Sequence, residues 1–222
     1  YLERKDETDL VIGTLLIAQV VLIPLVVHLA NRVGKATVFR YSTVLWLLGA
    51  CMLAAYQADW PPWAIYAIAA FVGSGVVGCV VMPWSIFPDV TDVGELRYGY
   101  RIAGSFSGVL TFSRKFSSAI GIFTVGMILE LSGYLAPIQE MREGHYTEIL
   151  QQQPDSVITA LQLIVFVVPV VLLIPAFFAA KTYPLDKQTH GRLRRYLEFQ
   201  RGQEETSNLT EEELQEMKQR LI

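Results

Sequence analysis

Charge is scarce in this sequence. Asp, Glu, Lys and Arg make up 18% of the 222 residues, where an average soluble domain has about 25%. The charges that exist are unevenly placed: eight of the 18 Lys+Arg and eight of the 21 Asp+Glu lie beyond Ala180. Cysteine is scarcer still. Cys51 and Cys79 are the only two. Both sit inside apolar runs without a CxxC partner or a nearby His, which excludes a disulfide framework and a zinc site and leaves two packed thiols. His28, His145 and His190 stand on separate segments, and there is no HExxH and no GxSxG. No triad or metal cluster is therefore in view, no cofactor is implied, and an enzyme is not expected. A net charge of −3 argues against a polyanion, so nucleic acid is excluded as a partner.

What the chain has instead is apolar length. Hydrophobic residues reach 52% and the mean hydropathy is +0.37. A bilayer crossing needs about 20 mostly apolar residues, and five stretches qualify: about 10–30, 41–58, 62–87, 102–130 and 156–180. Five such helices in a row do not belong to a soluble core, so the expected class is an all-α membrane protein. Residues 1–180 form its helical bundle and 181–222 its tail. The uncharged run Trp60–Pro88 exceeds one straight span, which predicts a tilt or a break there. Pro24, Pro83, Pro169 and Pro175 fit membrane helices, where neighbouring groups re-satisfy freed carbonyls. Gly73, Gly75 and Gly78, and the pair Gly104 and Gly108, offer small faces for close helix packing. Trp60 and Trp63 fit interface anchors.

Connecting segments set the orientation. The first, third and tail segments hold three, two and eight basic residues; the opposite side holds two, none and one. The tail is therefore expected in the cytoplasm and the chain start outside, in a plasma or inner membrane. An odd number of spans with no signal peptide and a first residue of Tyr predicts a fragment preceded by further helices.

Two groups of polar residues stand out against this background. Lys115 lies near the centre of the fourth span, where a charge costs on the order of 3 kcal/mol on insertion scales. Ser107, Thr111, Lys115 and Ser118 recur at helical spacing and share one face. That stripe suits the wall of a water-filled pathway; the alternative is an internal ion pair that only stabilises the bundle. Arg114 points about 100° away and needs a different partner. The third connection carries Asp89, Asp92, Glu95 and Arg101, read either as a solvated turn with capping acids or as a gate of ion pairs at the bundle end.

The run Trp84–Tyr134 resembles the glycoside–pentoside–hexuronide:cation symporters of the major facilitator superfamily. The resemblance rests on D-x-x-D-x-G-E (Asp89, Asp92, Gly94, Glu95), then Arg101, a helix carrying Lys115, and the exit Gly133-Tyr134. Tyr183-Pro184-Leu185-Asp186-Lys187 and the loop Arg32-Val33-Gly34-Lys35 extend it. It implies a twelve-helix transporter, with the five spans here equivalent to helices 8–12. It gives Lys115 a place near the sugar and cation sites, and Asp89, Asp92, Glu95 and Arg101 a cytoplasmic gating role. The coupling cation, Na+ or H+, would bind mainly in the missing N-terminal half, which is the partner this piece needs. The implied function is cation-coupled symport of a sugar, glycoside or related solute. Arg114 departs from the sugar carriers and suits an anionic substrate. With Met82-Pro83-Trp84-Ser85 it opens the alternative of a lysophospholipid carrier. A non-transporting receptor or scaffold derived from a transporter is the third reading.

Residues 131–155 read as an external loop, with His145 solvated and a short helix possible. The tail after Lys187 is basic and suits an anionic lipid surface. Thr210-Glu211-Glu212-Glu213 is a capping box opening a short amphipathic helix in an otherwise solvated end. The sequon at Asn208 falls on the cytoplasmic side and is discounted.

Overall fold

The computed structural model describes residues 5–57, 60–142, 145–149, 151–185, 187–202 and 210–221. The chain is built from seven helices and one hairpin among these residues. In order they are α1 (Lys5–Val33), α2 (Lys35–Ala54), α3 (Pro62–Tyr98), α4 (Ala103–Leu131), β1 (Ile138–Arg142), β2 (His145–Ile149), α5 (Asp155–Lys181), α6 (Lys187–Gln200) and α7 (Glu211–Leu221). Four of them, α1, α2, α3 and α5, are long and apolar enough to cross a membrane. With 29 residues, α4 has the length, but Arg114, Lys115 and a series of serines dilute its hydropathy.

The long third run does not break. It forms one helix of 37 residues with Pro83 and Pro88 inside it. At 1.5 Å per residue this is about 55 Å, well beyond a hydrocarbon core of about 30 Å. Every charged residue of the helix lies in its last turns, from Pro88 to Tyr98, so these are the turns suited to lie beyond such a layer. The segment expected as a connecting turn is thus helix, and Asp89, Asp92 and Glu95 ride on it. The helix stops at Gly99, whose φ of 75° is left-handed and whose N–H returns to the Glu95 carbonyl at 2.8 Å.

The same helix is the hub of the bundle, packed by α1 and α2 along its length and by α6 and α7 at its end. Val26 and Ala30 of α1, Val38 of α2, and Val77 and Met82 of α3 form one core cluster. Towards the opposite end, Tyr56, Ala64, Ile65, Ile68 and Val72 form another, with Trp46 against it. Close packing of α2 on α3 uses the small residues of α3: Gly75 abuts the Trp46 backbone and Gly78 abuts Ser42. The pair Gly104 and Gly108 on α4 faces open space among the described residues. Helix α4 buries no residue and touches α5 only lightly.

Three expectations change here. Cys79 is buried beside Thr43, but Cys51 is exposed rather than packed. The segment after α4 holds an antiparallel hairpin pairing Ile138 with Ile149 and Arg142 with His145, not a helix; the His145 side chain lies outside the described ones. The tail is not a solvated end. Leu193, Leu197 and Met217 are buried against Leu96 and Leu185. Thr210 and Glu213 make the expected reciprocal cap at 3.1 and 3.3 Å. Asn208 lies outside the described residues.

Candidate functional site: the charged end of α3

Asp89 is 5% exposed, and a carboxylate that far from water needs partners. Lys35 supplies them. Its Nζ donates to Oδ1 at 2.8 Å and Oδ2 at 2.7 Å of Asp89, and to the Ser85 carbonyl at 2.7 Å. Gly34, with φ 95°, separates α1 from α2 by a single residue and so fixes where Lys35 enters. A cation at a helix N-terminus opposes the helix dipole; the Asp89 carboxylate offsets that. Two further partners come from the tail. Nε2 of His190 lies 3.3 Å from Asp89 Oδ1 and 3.6 Å from Asp92 Oδ2. Arg201 grips Glu95 with two bonds, Nε to Oε1 at 2.9 Å and a second from its terminal nitrogen to Oε2. The same guanidinium reaches Asp92 at 3.9 Å. Hydrogen bonding to the Glu95 carboxylate raises the Arg201 pKa above its ordinary value, so the guanidinium stays charged.

The structure thus brings Asp89, Asp92 and Glu95 together, on one side of α3 at spacing of three. It does not bring Arg101 to them: Arg101 is exposed just beyond the end of α3 and makes no ion pair among the described residues. Lys35, His190 and Arg201 are the partners that sequence reasoning missed. Leu193, Tyr196 and Leu197 recur at helical spacing in the tail, and that period was the available signal for α6.

Tyr183 sits beside this network. Burial, and then the nearby Asp89 charge, push its phenol up to about 12. An unfolded tyrosine ionises near 10. The folded state therefore holds the proton more tightly, and the resulting stability is intact below about pH 10 and lost as pH climbs towards 12. An absorbance titration of phenolate should show one late step that disappears in Tyr183→Phe. The same variant should lose less stability than wild type above pH 10.

The second predicted group lies on α4. Ser107, Thr111, Lys115 and Ser118 are all exposed along it, and no described residue hydrogen-bonds to them. Arg114 finds its separate partner on α3: its guanidinium lies 5.7 Å from the ring centroid of Trp84, a cation–π contact.

A bundle of long apolar helices, with ion pairs gathered at one end and a polar stripe on one helix, is that of an integral membrane protein. The chain belongs to the MFS/sugar transport protein family, whose model matches residues 1–187. It is 31% identical over 170 residues to an uncharacterized symporter of Synechocystis, covering 77% of this chain and 30% of that protein. It is 33% identical over 186 residues to a glucuronide carrier protein homolog of Escherichia coli, covering 82% of this chain and 37% of that one. It is 25% identical over 154 residues to the human sodium-dependent lysophosphatidylcholine symporter 1, covering 68% and 26%. The chain spans about a third of the length of the curated relatives it matches.

Proposed function

We propose that this chain is the C-terminal part of a cation-coupled symporter that moves a sugar-type solute bearing an anionic group. The observation that carries this reading is the pair of adjacent cations halfway along α4. Arg114 rests on Trp84, while Lys115 stands on the exposed polar face with Ser107, Thr111 and Ser118. A charge placed at that depth is expensive unless it serves a pathway. Arg and Lys together suit a carboxylate or phosphate. The glucuronide named for one relative carries a carboxylate, and the lysolipid named for another a phosphate. In this reading α4 also crosses the membrane, as the fourth of five spans, the helices correspond to 8–12 of a twelve-helix carrier, and the coupling cation binds mainly outside this chain. The tail faces the cytoplasm. There the Lys35–Asp89 and Arg201–Glu95 pairs hold one arrangement and part in the other, as alternating access requires.

Uptake by the full-length protein tests it. Lys115→Ala is expected to lower cation-stimulated uptake at least tenfold, since coupling depends on a group both ligands favour. Wild-type, cation-stimulated uptake in that variant would overturn the assignment.

A further inference from the structure

Where the ends of α1, α2, α3 and α5 meet the start of α6 there is a cleft of about 450 Å³. Its lining carries three permanent cations, Lys35, Arg40 and Lys181, against one described carboxylate, Asp89. Lys35 takes that carboxylate in both of its oxygens. Arg40 and Lys181 are left without a described carboxylate in salt-bridge range. Arg40 donates from one terminal nitrogen to Thr37 at 3.1 Å, but its Nε is buried with no partner. The Tyr183 hydroxyl is likewise buried and unpartnered. A buried donor without an acceptor is costly, and two of them, one on the uncompensated Arg40 guanidinium itself and one on Tyr183, describe a place for an anion.

A second cleft, also about 450 Å³, adjoins the first. It is apolar, lined by Phe39, Pro83, Phe87, Val90, Phe106 and Leu110 among others. Ala36, Ala180 and Tyr183 line both. The polar space therefore borders an apolar slot between α2, α3, α4 and α5, with these three residues between the two. An inorganic ion would use only the first space; a molecule with a phosphate head and a hydrocarbon chain would use both.

We propose that these adjoining clefts bind one anionic phospholipid, its phosphate on Arg40, Lys181 and the Tyr183 hydroxyl and one acyl chain in the apolar slot. Basic pockets between helices near a membrane surface are suited to such headgroups. The lipid would bridge α2, α5 and the loop into α6, beside the Lys35–Asp89 pair. The site is separate from Arg114 and Lys115, so its fate does not depend on the transport reading.

The test uses the protein purified in a neutral detergent. Dioctanoylphosphatidylglycerol is titrated in, with the matching phosphatidylcholine and inorganic phosphate as comparators. Binding is read by native mass spectrometry and by the thermal midpoint. One saturable phosphatidylglycerol adduct is expected. Arg40→Gln and Lys181→Gln should each weaken it about tenfold, the range for a charge-assisted hydrogen bond. Tyr183→Phe, which removes only an unpartnered hydroxyl and leaves the fold intact, should weaken it about threefold. Arg194→Gln, an exposed cation of α6 paired with Glu198, should leave it unchanged. Ala179→Trp should fill the apolar slot and block the lipid. No saturable adduct, equal affinity for phosphatidylcholine, inorganic phosphate binding as tightly as the lipid, or full affinity in Arg40→Gln and Tyr183→Phe would each overturn the proposal.

Discussion

Asp89→Asn is expected to destabilise the protein by about 2–3 kcal/mol, read as a lower unfolding free energy in detergent. Breaking a buried ion pair by removing one member typically costs 3–5 kcal/mol, because the other charge is left uncompensated. Here the stranded group is Lys35, whose side chain is 28% exposed and which keeps its bond to the Ser85 carbonyl at 2.7 Å. Water and that carbonyl reduce the loss. Asn in place of Asp also removes the anion between His190 and Lys35, so α2, α3 and α6 lose a shared anchor. Lys35→Met in the Asp89→Asn background should recover most of the loss, since an uncharged pair of similar volume often matches a buried ion pair. A double-mutant cycle gives the coupling directly. In a transporter whose two states differ in this contact, 2–3 kcal/mol moves their ratio roughly 30- to 150-fold. No change in stability for Asp89→Asn would show that the carboxylate is as well satisfied by neutral groups.

The apolar elements of this fold were readable because an uncharged run of twenty residues has few structures open to it. The charged end was not, and α3 shows why. Asp89, Asp92 and Glu95 look like the acids of a turn, and Pro88 and Gly94 reinforce that impression. Yet acids spaced by three fall on one side of a helix, and Val90, Val93 and Leu96 keep the same period. Pro88 is tolerated inside the helix, and Gly94 is there so that Phe106 of α4 can approach it: a Cβ would lie 2.6 Å from that ring. Which cation meets which acid is a tertiary fact. Lys35 and Asp89 are 54 residues apart, and Arg201 and Glu95 are 106 apart; no local pattern pairs them. His190 looks like a solitary histidine until α6 folds back and sets it between two carboxylates. Arg101, which belongs to the recognised motif, stands outside the network, because Gly99 ends the helix and turns the chain away from that face. On α4, spacing alone placed Arg114 off the Lys115 face, but only the packing of α3 shows that Trp84 is what it meets.

Gly75→Val is expected to cost more than 3 kcal/mol or to prevent assembly of α2 with α3. A Cβ at residue 75 would press on the Trp46 backbone nitrogen and lie 2.7 Å from the Trp46 Cα and 2.9 Å from the Leu45 carbonyl carbon. Overpacking against a side chain costs about 1–3 kcal/mol; backbone cannot rotate aside, so the helices must separate. That separation opens the cluster of Ile68, Val72 and Trp46 and loosens dispersion contacts along the whole interface. The position three residues on behaves differently. A Cβ at Gly78 meets the Ser42 side chain, its Cβ at 2.6 Å and its Oγ closer still. Gly78→Ala should therefore destabilise, and Ser42→Gly should rescue it, whereas no side-chain change at Trp46 should rescue Gly75→Val. Gly108→Ala on α4 is the control. Nothing described lies within 4 Å of a Cβ there, and Ala is the better helix former by about 1 kcal/mol, so stability should hold or rise slightly. A loss at Gly108 as large as that at Gly78 would mean that α4 is packed as tightly as α3, by a surface beyond this chain, and that the glycine face read from its sequence is an interface after all.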